Sequence, residues 1–315
     1  MKMFTKLALV SSMAISANAM AMQSMDDAAL SAATGQDGIN IGLGVTSVTI
    51  DKLLIHDTDG YADNGGAAGT IGSGGTGVAG AIVVNNVAIT QNMSALLPSH
   101  NLADLTIDTD AGDSTTGGAF LNVAAKVSGL NISLGKIEVA ASGTPSATSI
   151  QRGTTGTANE ILSGLTLKTG TMDANIQLGA APQGAMIMLN TTMTGGLEIT
   201  NLGIKDKSTI GQLTSTGAAS TLAGEIHLDS IKVADSGSTN MTVKAQVSVV
   251  GESTAGAKDG YLKIVSESPV NGSDIYIKGV HLGSATAGSI GDVEIQGLKT
   301  TYSGGNGAVI TISGH

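Results

Sequence analysis

Cysteine and tryptophan are absent from this chain of 315 residues, and aromatic side chains make up only 2% of it. Without cysteine no disulfide can staple the fold, so its stability must come from burial. The aromatics present are Phe4, Phe120, Tyr61, Tyr261, Tyr276 and Tyr302, which leave little material for stacking a planar ligand or anchoring a partner. Arginine occurs once, as Arg152, and the net charge is −10. The clustered basic footprint of nucleic-acid binding is therefore missing. No later stretch reaches the roughly eighteen unbroken apolar residues that a membrane-spanning helix needs. The ending Val309-Ile310-Thr311-Ile312-Ser313-Gly314-His315 reads as a strand without a terminal aromatic, and no aromatic girdle exists, which disfavours an outer-membrane barrel. H-E-x-x-H, G-x-S-x-G and the phosphate-binding loop motif do not occur either, so nothing points to an enzyme.

The start is informative. Lys2 and Lys6 precede an apolar run from Leu7 to Ala17, and Ala17-Asn18-Ala19 and Ala19-Met20-Ala21 supply small-x-small ends. This is the pattern of a secretory signal peptide over residues 1–21. Losing the two lysines, with no acid removed, takes the net charge from −10 to −12. Residues 22–44 form a distinct segment. Within it Met25 to Gly35 reads as a short helix, with Asp26 or Asp27 as its cap and Gly35 at its close. So short a helix is marginal unless it docks, and the segment is the expected docking element.

From Ile39 onward the strong signals are all β. An eight-residue pattern recurs: aliphatic, any, aliphatic, two polar or glycine residues, aliphatic, any, aliphatic. The six complete copies are Val48/Ile50/Leu53/Ile55, Ile82/Val84/Val87/Ile89, Ile132/Leu134/Ile137/Val139, Leu197/Ile199/Leu202/Ile204, Ile226/Leu228/Ile231/Val233 and Ile275/Ile277/Val280/Leu282. Weaker copies follow Leu165 and Val293. Chance would supply about one or two in this length. Alternate residues of a strand face the same way, so each aliphatic pair buries one face. The extra residue between the pairs breaks the period of two. Both pairs face inward only if the chain turns a corner there or bulges within a longer strand. Corners every 29–34 residues, with longer gaps near 50, suit a β-solenoid of coils stacked about 4.8 Å apart. A β-sandwich is the alternative. Residues 45–315 are expected to form one repetitive all-β domain, with loops at the glycine-rich stretch 61–80, at 141–159 and at 251–260.

The best chemical candidates are carboxylates. Asp57 and Asp59 are followed by Asp63 and Asn64, and Asp108 and Asp110 by Asp113. Calcium needs several oxygens on a tight turn, which such spacing can offer, although neither cluster completes the twelve-residue calcium loop. The competing reading is a set of Asx-type turns. The five histidines are scattered, and His227 and His281 occupy the same slot in their repeats, read as a solvated face. Met186, Met188 and Met193 read as core filling, with a partner surface as the other use.

The stretch Met25-Asp26-Asp27-Ala28-Ala29-Leu30-Ser31-Ala32-Ala33-Thr34-Gly35-Gln36-Asp37-Gly38, with Ile55 to Gly60, Ala119 to Val123 and Pro182 to Ile187, resembles a family of exported Gram-negative proteins. That family is labelled pilus-system protein FilA, from Acinetobacter-like bacteria. The resemblance implies an envelope, outer-membrane or surface protein and carries over no catalytic residue. The expectation is therefore a non-catalytic structural or adhesive protein of the cell surface, a subunit or accessory of a pilus-like fibre. Its partners would be other pilus-system or envelope proteins, or further copies of itself through strand addition. The alternative is a calcium-dependent extracellular binding module. The compartment is left open among cell surface, medium and periplasm.

Overall fold

The computed structural model describes residues 38–314 except 64, 68 and 116. The leader, the short helix and most of the docking segment lie outside the described residues. Asn40 to His315 forms one compact unit.

The chain alternates between two sheets. β1 (Ile39–Leu43) belongs to the first sheet, β2 (Ser47–His56) and β3 (Gly80–Gln91) to the second, and β4 (Ala103–Asp110) and β5 (Phe120–Val127) to the first again. β6 (Leu130–Leu134), β7 (Ile137–Ser142), β8 (Thr154–Leu162) and β9 (Leu165–Lys168) return to the second sheet. β10 (Met172–Gly179) and β11 (Ile187–Met193) join the first, β12 (Leu197–Asp206) and β13 (Gly224–Asp235) the second. β14 (Met241–Val250) and β15 (Tyr261–Glu267) join the first, β16 (Ser273–Leu282) and β17 (Ser289–Leu298) the second. A minimal hairpin of β18 (Thr301–Tyr302) and β19 (Gly305–Asn306) precedes β20 (Ala308–Ile312), which closes the first sheet.

Both sheets are laid down in chain order. The first runs β1-β4-β5-β10-β11-β14-β15-β20. The second runs from β2 through β3 to β12, β13, β16 and β17. In its middle β6 and β7 share one strand position beside β3, and β8 and β9 share the next beside β12. Each new pair of strands therefore adds beside the previous one, so the fold grows along a single axis.

The repeat sets this register. Val48, Ile89, Ile132, Leu167, Ile199, Ile231, Ile277 and Val293 are successive cross-strand partners, one from each strand position of the second sheet. Cross-strand neighbours share a face, so this row is aliphatic from edge to edge. A matching row in the first sheet links Ile107, Val123, Ile176, Ile187, Val247, Ile264 and Ile310. The all-β expectation thus holds.

The pairings do not show the expected stack of coils. Coils wound in one sense stack their strands in parallel, whereas the registered pairs within both sheets are antiparallel. The two-residue interruptions are not corners in β2, β3, β12, β13 and β16, each of which runs through as one strand. Nor do they set two residues against one, as a bulge does, because the register is the same on either side of them. Ile50 pairs with Val87 and Lys52 with Asn85, which skips Asp51 and Asn86 together. Thr200 pairs with Ser230 and Leu202 with Leu228, which skips Asn201 and Asp229. Each strand drops one residue opposite a neighbour that drops one too, so all aliphatics stay on one face. Asn86, Asn201 and Gly279 take left-handed backbone at these points, with φ of 49°, 58° and 62°. Only the third set breaks into two strands, at Gly135-Lys136.

The aliphatic face is also less covered than the spacing suggests. Val84 at 9% and Val87 at 7% exposure are buried, while Val48, Ile50, Leu53 and Ile55 are all exposed, Ile55 to 57%. β2 is an edge strand with a neighbour on one side only, but Ile82, Ile204 and Ile226 of the interior strands β3, β12 and β13 are also 42%, 47% and 48% exposed, so edge position accounts for only part of it.

Candidate functional site

The opposite face of the second sheet is apolar and buried at Ala81, Val83 and Ala140, and across β12, β13 and β16 it carries a group of charged side chains. It rests on a glycine. A Cβ on Gly203 would stand 1.9 Å from Oε1 of Glu225 and 2.1 Å from Oγ of Ser163, so any side chain there would displace the carboxylate and the hydroxyl. Gly203, His227 and His281 form one cross-strand row of β12, β13 and β16, and Lys205 lies opposite Glu225. Gly279 has a similar role, since a Cβ there would meet Oδ2 of Asp229 at 2.1 Å.

Nζ of Lys205 donates to Oε2 of Glu225 at 2.6 Å, and Nδ1 of His227 stands 3.5 Å from Oε1. Nε2 of His281 lies 3.2 Å from Oδ1 of Asp229, which is 3.8 Å from Nε2 of His227. The imidazoles meet edge-on with centroids 5.9 Å apart, and Nδ1 of His281 pairs with the carbonyl of Ala287 at 2.6 Å. Glu225 is 6% and His227 8% exposed. Burial raises the Glu225 pKa. Hydrogen bonds from Lys205 and Ser163, with the charges of Lys205 and His227, outweigh it and hold the carboxyl below its ordinary range.

The solvated reading of the two histidines is therefore corrected for His227, which is buried, while His281 is partly covered. Each histidine alone looks like a polar slot on an outer face. The usable signal was that both fill the same slot in repeats that end up side by side. Chemically the row is an alternation of base and acid, with buried Nδ1 of His227 and Nε2 of His281 lacking a hydrogen-bond partner.

The carboxylates singled out from spacing fall elsewhere. Asp57 follows β2, and its Oδ1 accepts from the backbone N–H of Asp59 and of Gly60, both at 3.3 Å. Oδ1 of Asp63 accepts from Gly65 at 3.1 Å, and Asn64 lies outside the described residues. Asp108 and Asp110 lie in β4 opposite Asn122 and Phe120. Asp110 accepts from the N–H of Gly112 at 2.6 Å, and Asp113 from the N–H of Thr115 at 2.8 Å. These are the geometries of Asx turns. Asp57, Asp59 and Asp63 lie in the loop after β2 of the second sheet, and Asp108 and Asp110 in β4 of the first. Among the described residues no group of three or more His, Asp or Glu is arranged to hold a metal ion. Met193 is buried, as core filling requires.

Fold and polar row together define an all-β protein of two chain-ordered antiparallel sheets. Among the described residues no helix is long and apolar enough to cross a membrane. Residues 1–113, which reach from the start of the chain to just beyond β4, match a family described as a family of unknown function (DUF6160). No curated protein and no solved structure matches the chain.

Proposed function

We propose that this chain is an exported, non-catalytic structural or adhesive protein of the cell surface, a subunit or accessory of a pilus-like fibre. The observation that supports it best is the edge-to-edge aliphatic row from Val48 to Val293 in a fold that grows along one axis. Such a body is a scaffold whose length is set by how many strand pairs are added. The leader-like start and the resemblance to an exported pilus-system family point the same way. In this reading the two sheets pack apolar face to apolar face as a sandwich. Connections as short as Ser128-Gly129 between β5 and β6 support that packing, because they keep the sheets adjacent where the chain crosses. Residues 22–44 dock the body to its assembly.

Immunogold electron microscopy of cells producing the full chain tests the proposal. Labelling of the surface or of fibres is expected, and removal of residues 22–38, which leaves β1 in place, should leave a folded protein that no longer labels them. Label confined to the cytoplasm, or fibre labelling unchanged by the deletion, would overturn it.

A further inference from the structure

The ends of the two sheets coincide. Connections of a few residues, such as Ser128-Gly129 between β5 and β6 and Thr194 to Gly196 between β11 and β12, tie each step of one sheet to the matching step of the other. Both sheets therefore grow in the same direction. One end of the body carries β1 and β2, the other β20 and β17.

Among the described residues these four strands have a strand neighbour on one side only. β1 is exposed throughout, and β2, β17 and β20 nearly so. Folded proteins blunt edges with proline, lysine or a covering segment, because unpaired N–H and C=O groups recruit other strands. β1 (Ile-Asn-Ile-Gly-Leu) and β20 (Ala-Val-Ile-Thr-Ile) carry no charge at all, so the first sheet's edges lack such guards, whereas β2 carries Asp51 and Lys52 and β17 carries Asp292 and Glu294.

Strand direction decides what these edges can pair with. In the second sheet eight positions alternate in direction, so β2 and β17 run opposite ways. The first sheet also has eight strands. β1 runs against β4, since Leu43 meets Leu102 and Asn40 meets Thr106. The remaining pairs alternate, so β1 and β20 also run opposite ways. Adjacent strands turn by roughly 20–25°, so a second copy displaced along the growth axis and turned by the accumulated twist presents antiparallel partners to both edges at once. An odd strand count in either sheet would have forced a parallel joint there. The aliphatic rows continue through the joint, because Val293 closes the row that Val48 opens.

We infer that copies of this chain join head to tail, β17 of one on β2 of the next and β20 on β1, continuing both sheets across the boundary. The contact is heterologous and does not close on itself, so it propagates as a filament. The inference rests on the proposed structural role and supplies its mode of assembly.

Cysteine cross-linking tests it, since the natural chain has none. Val48 and Val293 sit on opposite edges, seven strand spacings or roughly 33 Å apart within one copy. A bond between them is therefore intermolecular. The full chain carrying both Val48→Cys and Val293→Cys should give a ladder of oligomers on oxidation. Mixed single variants should stop at dimers, and each single variant alone should stay monomeric. Circular dichroism of the reduced proteins confirms that they fold. Absence of the ladder from folded double variant overturns the inference, as does self-cross-linking of one single variant or bonding only to a different protein. Immunogold separates the two claims. Surface label without a ladder leaves the proposed function standing, and a ladder without surface label leaves only the assembly mode.

Discussion

Nδ2 of Asn92 donates to the carbonyl oxygen of Thr169 at 2.8 Å, joining two buried residues 77 positions apart. The backbone N–H of Leu130 closes the knot by donating to Oγ1 of Thr169 at 3.0 Å. Asn92 follows β3 and Thr169 follows β9, so the contact sits where the chain leaves the second sheet for the first. Asn92→Leu would strip a buried carbonyl of its donor, at a cost of about 1–3 kcal/mol. Urea unfolding of the variant should show that loss as a lower midpoint with an unchanged slope.

The glycine beneath the acid-base row makes a sharper claim. Gly203→Ala puts a methyl where the Glu225 carboxylate and Ser163 hydroxyl already stand, 1.9 Å and 2.1 Å away. Overpacking of this kind costs about 1–3 kcal/mol. Gly288→Ala meets nothing within 4 Å and serves as control, within about 0.5 kcal/mol of the parent. Equal melting temperatures for the two variants would contradict the close approach.

Acid sensitivity follows from the same residue. The folded-state pKa of Glu225 is depressed, so the unfolded chain takes up a proton more readily than the folded one. Its contribution is complete above the unfolded value, about 4.3, and is lost as pH falls through the folded value. Glu225→Gln should lower the melting temperature at pH 7, and the gap to the parent should narrow as pH drops below about 4. Asp104, Asp274 and Asp292, also held low by hydrogen bonds, are present in both proteins and cancel in the difference. A gap that stays constant from pH 7 to 3 would contradict the assignment.

Calcium can be decided by titration. The carboxylates of Asp57, Asp63, Asp110 and Asp113 already accept hydrogen bonds from their own turns. Calorimetry with millimolar calcium is therefore expected to register no binding heat. Heat that vanishes in Asp110→Asn would establish the calcium-dependent alternative.

How far the sequence was legible depends on the kind of contact. The spacing of Val48, Ile50, Leu53 and Ile55 announced a shared face, and Val87, Val84 and Ile82 stand opposite three of them. Direction was not legible, because parallel coils and antiparallel strands need the same aliphatic rows. Nor was the matched interruption, since an extra residue in one copy reads as a corner or a bulge until its neighbour is seen to skip a residue beside it. The acid-base row was hidden for a third reason. Glu225, His227 and Asp229 alternate as an outward face does, and only β16 on one side and Gly203 on the other convert that face into a covered one.

Asn201 tests the interruption itself. It stands exposed in β12 with φ of 58°, a conformation that asparagine tolerates, glycine prefers and β-branched residues resist. Asn201→Gly keeps the left-handed backbone and should leave stability within about 0.5 kcal/mol of the parent. Asn201→Val must either hold the left-handed backbone, at about 1–2 kcal/mol, or straighten the strand. Straightening would turn Leu202 and Ile204 to the polar face, since a one-residue slip reverses every side chain beyond it. Either way the valine variant should unfold at lower denaturant than the glycine variant, although the side chain itself is exposed. Were the interruption a loose corner instead, with no fixed left-handed residue, the two substitutions would be equally tolerated.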